Sequence, residues 1–125
     1  MNSSSGYRSY QSTRVLTANQ GDLILMLYVG AISFVQQART AIETEDLEAG
    51  NEALIRAKRI VSELLAFVDD SGGEIAVNLR SLYTYVIDRL IEANVNHSTE
   101  ALDDAANVLS TLKSGWEAVS ASNED

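Results

Sequence analysis

A chain of 125 residues, 46% of them hydrophobic, suits a single domain with a real core. It has no cysteine, which excludes disulfides, thiolate zinc sites and cysteine nucleophiles together. The net charge of −9 makes an acidic body that repels phosphate backbones, which argues against nucleic-acid binding by charge neutralisation.

Residues 1–18 are rich in serine, threonine and glutamine, with Tyr7 and Tyr10 as the only aromatic anchors. No period of 2 or 3.6 is sustained there, so a mobile N-terminal arm is expected. The arm lacks the apolar h-region of a secretory signal, and a cytoplasmic location is expected. Asn19-Gln-Gly-Asp22 then resembles a capping box. The stretch from Asp22 to Glu43 holds helical pattern, with Leu27, Ala31, Phe34, Ala38 and Ile42 on one stripe. Its apolar run Leu23 to Val29 is far too short to span a bilayer, so no membrane insertion is expected.

Thr44-Glu45-Asp46 makes a turn in which Asp46 or Thr44 caps a second helix, Leu47 to Asp69. Leu54, Ala57, Val61, Leu64 and Val68 fall on one face of it at three-four spacing. Gly72-Gly73 disfavours continuation. A third helix, Glu74 to Asn96, carries Ile75, Leu79, Leu82, Val86, Leu90 and Ala93 as its core stripe. Ser98 caps a fourth, Thr99 to Ser120, with Leu102, Ala105, Leu109, Leu112, Trp116 and Val119 facing inward. No proline interrupts any of these segments. The expected fold is all-α: an antiparallel up-down four-helix bundle over residues 19–120, between the arm and a polar tail at 121–125.

Two helices carry more apolar surface than one stripe each. The first opens with Leu23-Ile-Leu-Met-Leu-Tyr-Val29, apolar around its circumference. The third has a second line, Ala76, Tyr83, Ile87 and Ile91, one residue out of phase with its core stripe. These residues widen the core, lie under the arm, or form a groove for another helix, read as anchors at three-four spacing. Methionine and tyrosine suit the last reading, one by adapting its shape and the other by burying a ring while its hydroxyl stays wet.

Catalysis finds little support. The single histidine, His97, sits in a polar connector without a partner, no Glu-x-x-His pair exists, and no serine has a base and an orienter beside it. Asp69-Asp70 and Asp103-Asp104 are adjacent pairs, poorly placed to share a metal. Neither enzyme activity, nor a metal, nor a cofactor is expected.

The segment Gly72-Gly-Glu-Ile-Ala-Val-Asn-Leu-Arg-Ser-Leu-Tyr-Thr-Tyr-Val-Ile-Asp-Arg-Leu90, continuing to Glu92-Ala-Asn94, resembles the flagellin-specific export chaperones of the FliS family. Leu23 to Ile32, Tyr7-Arg-Ser-Tyr10 and Gly115-Trp116-Glu117 resemble the same family, so the likeness spans nearly the whole chain. One departure is Val29, where the family usually has aspartate before glycine. The resemblance implies a chaperone that binds the C-terminal segment of flagellin, prevents premature polymerisation without ATP, and presents it to the export apparatus, with the export-gate protein as a further partner. On that footing Tyr7 and Tyr10 become the arm's anchors. Ala76, Leu79, Tyr83, Ile87 and Ile91 become the groove on the third helix, the last two assigned from its second stripe. Asn78 either bonds the client backbone or is a helix-surface polar group, and Trp116 is read as core rather than as a client contact. The competing reading is a helical adaptor that uses the same surface to self-associate as a homodimer.

Overall fold

The computed structural model describes residues 20–123. Four helices, α1 (Gln20–Glu43), α2 (Leu47–Ala66), α3 (Glu74–Asn96) and α4 (Thr99–Asn123), run up, down, up and down. Helix α1 packs on α2 and α4, and α3 packs on the same two, so the helices close a ring in chain order. This is the antiparallel bundle that short connectors between long amphipathic helices impose. The expected arm, with Tyr7 and Tyr10, lies outside the described residues.

Local chemistry explains where the helices stop. Asp46 caps α2 by accepting from the Ala49 N–H at 3.2 Å. Thr44, the other candidate, donates instead to the Thr40 carbonyl at 2.9 Å. Ser98 caps α4 by accepting from the Ala101 N–H at 3.1 Å. His97 ends α3 in the left-handed conformation (φ 52°) that closes a helix, and its side chain is exposed. Helix α2 stops at Ala66 rather than Asp69, because the chain turns through Asp70–Gly72, a single 3-10 turn capped by Asp69. Gly73 follows with φ 62° and ψ −129°, a backbone open essentially to glycine alone. Helix α4 runs past the expected end at Ser120 to Asn123, since Ala118 to Ala121 offers no breaker and alanine favours the helix.

The core is wholly apolar apart from two tyrosine hydroxyls, with Tyr28, Val35, Leu54, Val61, Leu64, Val86, Leu90, Leu102 and Leu109 fully enclosed. On α1 the inward stripe is Ile24, Tyr28, Ala31, Val35 and Ala38, while the expected Leu27, Phe34 and Ile42 sit half-buried on its shoulder. A helix apolar all round gives periodicity no phase to choose, and small alanines at the centre let α1 and its neighbours come close. On α3 the two expected stripes exchange roles in its first half: Ala76 and Tyr83 point inward, whereas Ile75 is 71% exposed and Leu82 faces outward. By length and composition α1 would also pass for a membrane span, yet its inner face packs against α2 and α4.

Candidate functional site

At the end of the bundle where α1 and α3 begin and α2 ends, the helices splay around an apolar pocket of about 270 Å³. Gln20, Gly21 and Ile24 of α1 form one wall, and Leu64, Phe67 and Val68 at the end of α2 form the next. Ile75, Ala76, Leu79 and Tyr83 of α3 face them, and Trp116 of α4 closes the side. The 67–73 connector shapes the rim. Arg80 holds it down by pairing with Asp70 and reaching the Val68 carbonyl at 3.5 Å. On the same rim the Asp69 carboxyl is held below the usual carboxylate range by the hydrogen bonds it accepts from Ser71.

The floor is polar. Tyr28 and Tyr83 cross the bundle from opposite helices and share a hydroxyl–hydroxyl hydrogen bond of 2.5 Å, with ring centroids 6.4 Å apart. Burial pushes both phenols above their ordinary value, and the shared hydrogen bond raises Tyr28 further. The Trp116 indole nearby acts in the other direction on both. Both hydroxyls therefore stay protonated at neutral pH and serve as a structural bond. With its phenols neutral and its walls aliphatic or aromatic, the cavity suits an apolar side chain. Among the described residues no group of three histidine, aspartate or glutamate side chains could hold a metal ion.

Of the site residues expected from sequence, Ala76, Leu79 and Tyr83 come together in this pocket. Tyr83 is only 2% exposed and Ala76 is buried, so both belong to the pocket's inner wall and floor rather than to an open helix face. The hydrogen bond to Tyr28 draws the Tyr83 ring inward. Asn78 is exposed and away from the pocket. Ile87 and Ile91 lie further along α3, Ile87 packed on the core and Ile91 exposed. Trp116 combines both roles, half-buried against the core and lining the pocket. Sequence reasoning missed Ile24, Phe67 and Ile75. Their shared signal is position, since each lies within a turn or so of a helix end at the same pole of the bundle.

Val29 lies on the opposite flank, 53% exposed, in a shallow groove it shares with Lys113 of α4. Lys113 meanwhile pairs with Glu117, one turn along its own helix, at 3.5 Å. A carboxylate at position 29 would compete with Glu117 for that ammonium on an open surface. Val29→Asp is therefore expected to change the unfolding free energy by less than about 1 kcal/mol in urea denaturation. A larger change would reveal a structural role for this position.

The family model for flagellar protein FliS matches residues 3–123. The flagellar secretion chaperone FliS of Bacillus subtilis is 36% identical over 110 residues, covering 88% of this chain and 82% of its own. That of Salmonella typhimurium is 36% identical over 126 aligned positions, covering 96% and 93%. A crystal structure of a bacterial flagellar chaperone shares the fold, with a TM-score of 0.76 at 20% identity over 94% of this chain and 96% of that one. With a match from end to end in sequence and a shared bundle in structure, the chain belongs to the FliS family of flagellar secretion chaperones.

Proposed function

We propose that this chaperone binds the C-terminal helical segment of flagellin in the cytoplasm, keeps it from polymerising, and delivers it to the flagellar export apparatus through the export-gate protein. The observation that carries this reading is the pocket. The glycine-led segment that most resembles the family supplies Gly72, Ile75, Ala76, Leu79 and Tyr83 to a single apolar concavity. Such a concavity accepts one large apolar side chain, and a helix laid across its mouth would seat further anchors on Ile75 there and on Leu82, exposed one turn beyond Leu79. A flagellin tail that orders on binding must offset several kcal/mol of lost conformational freedom, which calls for a long contact beyond this one pocket. Tyr7 and Tyr10, Asn78, and Ile87 with Ile91 remain the residues proposed to extend it.

Isothermal titration with the C-terminal ~40 residues of the cognate flagellin, a length of up to two bundle helices, tests the reading. Saturable one-to-one binding with a negative heat-capacity change is the expected result. Absence of heat at high micromolar concentrations, together with a tight dimer in ultracentrifugation, would favour the self-associating adaptor instead.

A further inference from the structure

The outward face of α1 differs from the rest of this acidic surface. The solvent sides of the other helices carry charge, such as Glu52 and Glu63 on α2, Asp88 on α3, and Glu100 and Glu117 on α4, all exposed. Between Asp22 and Arg39 the first helix carries none. Its exposed line in that stretch is Met26, Val29, Ser33, Gln36 and Gln37, continued by Thr40. Met26, Val29, Ser33, Gln36 and Thr40 alternate steps of three and four residues, the spacing of a seam along which two helices pack. Ser33 lies ~200° round the helix from the buried Ala31, so the line runs opposite the core.

The relief around this line suits a second helix. Shallow grooves of about 440 and 380 Å³ flank it, one between α1 and the start of α2, the other between α1 and α4. Ser33 and Gln36 line both, so the line is a ridge with a groove on either side. The charged residues of the far walls, Asp46 and Lys113, are already engaged, with the Ala49 N–H and Glu117. On the ridge itself the Gln37 amide donates to the Ser33 hydroxyl at 3.2 Å. A serine at the middle keeps the ridge low there, which lets another helix axis come close.

We propose that two copies of this chain associate through α1, crossing face to face about a two-fold axis at Ser33. Charge selects the occupant. Each copy carries −9, so a second copy is repelled from the charged sides and meets least repulsion on this one. Amide and hydroxyl side chains donate and accept alike, so Ser33, Gln36, Gln37 and Thr40 are complementary to themselves. A two-fold contact demands that self-complementarity, and it seats the ridge of each copy in a groove of the other. From Met26 to Thr40 the ridge is ~21 Å long, and crossed helices diverge towards their ends, so Asp22 and Glu43 stay outside the contact. Two crossed helices bury less than the ~800 Å² per partner of a standard interface, so a weak dimer is expected, with a Kd of roughly tens to hundreds of micromolar. The pocket takes Gly21 and Ile24 from the other side of α1 and stays open in such a dimer.

Sedimentation of the full chain, from about 10 to 500 µM, is expected to show a monomer–dimer equilibrium that tightens as salt screens the like net charges. Ser33→Glu and Ser33→Lys should each weaken it at least ten-fold, because a residue on the axis meets its own copy and like charges then face each other. An equal mixture of the two variants should restore it as a heterodimer. Arg59→Glu, an exposed charge change on α2, should leave it within about two-fold. Thermal melts of each variant confirm the fold. A chain that stays monomeric, a dimer that survives both substitutions, or a mixture that fails to recover would overturn the proposal. Titration of the flagellin tail into Ser33→Glu separates this idea from the client reading. Unchanged tail binding is the expected result, and its loss along with the dimer would hand this face to the client and overturn the proposal. Failure of the tail to bind the wild type as well removes only the client's identity.

Discussion

Truncating Tyr28 to alanine is expected to lower the unfolding free energy by about 3–5 kcal/mol, the range for removing a buried aromatic ring. The ring is fully enclosed and meets Tyr83 across the bundle, so its loss opens a cavity at the centre of the core. Tyr28→Phe separates the ring from its hydroxyl. It keeps the packing and leaves the Tyr83 hydroxyl short of one partner, at an expected cost of about 1–2 kcal/mol. Adding Tyr83→Phe should then cost little more, because both halves of the bond are gone and Trp116 remains in place to pack. Urea denaturation of the wild type, the two single variants and the double variant closes the thermodynamic cycle. Strict additivity would mean that the hydrogen bond contributes nothing.

Ile75→Asp is expected to weaken binding of the flagellin tail by ten- to one hundred-fold, which corresponds to losing the burial of one large aliphatic side chain, about 1.5–3 kcal/mol. Ile75 stands at the pocket mouth and is largely exposed in the free protein, so the fold should tolerate the charge with little change in melting temperature. A carboxylate at that mouth must be desolvated by any apolar anchor that enters. Ile87→Asp makes a poorer probe, because Ile87 packs on the core and its loss would confound folding with binding. Titration calorimetry beside a thermal melt decides the matter. Unchanged affinity for Ile75→Asp would remove the pocket from the client site.

The four helices were legible in the sequence because each carries an apolar stripe at three-four spacing, and because Asp46 and Ser98 announce the helices they cap. Phase was less legible. In α3, Ile75 and Tyr83 belong to rival stripes of nearly equal hydrophobicity, and periodicity weighs them alike. The structure decides between them through a partner 55 residues away, since the Tyr28 hydroxyl gives Tyr83 a reason to point inward that no local pattern contains. Ile75, one residue into its helix, has no opposite neighbour to cover it. The pocket was half-visible for the same reason. Ala76, Leu79 and Tyr83 come from one helix at three-four spacing, whereas Phe67 and Val68 enter only because α2 stops at Ala66 and the chain folds back over the bundle end.

Gly73 carries one more consequence, for how this chain can drift over generations. A side chain there would meet nothing within 4 Å, so crowding does not guard the position. The guard is the backbone angle alone, at a cost of roughly 1–2 kcal/mol for any L side chain. A mutational scan that reasons from empty space would score position 73 as permissive, next to a pocket rim where it is not. The bundle end that frames the pocket thus inherits its shape from a residue with no side chain, and selection would act on it through geometry rather than through chemistry.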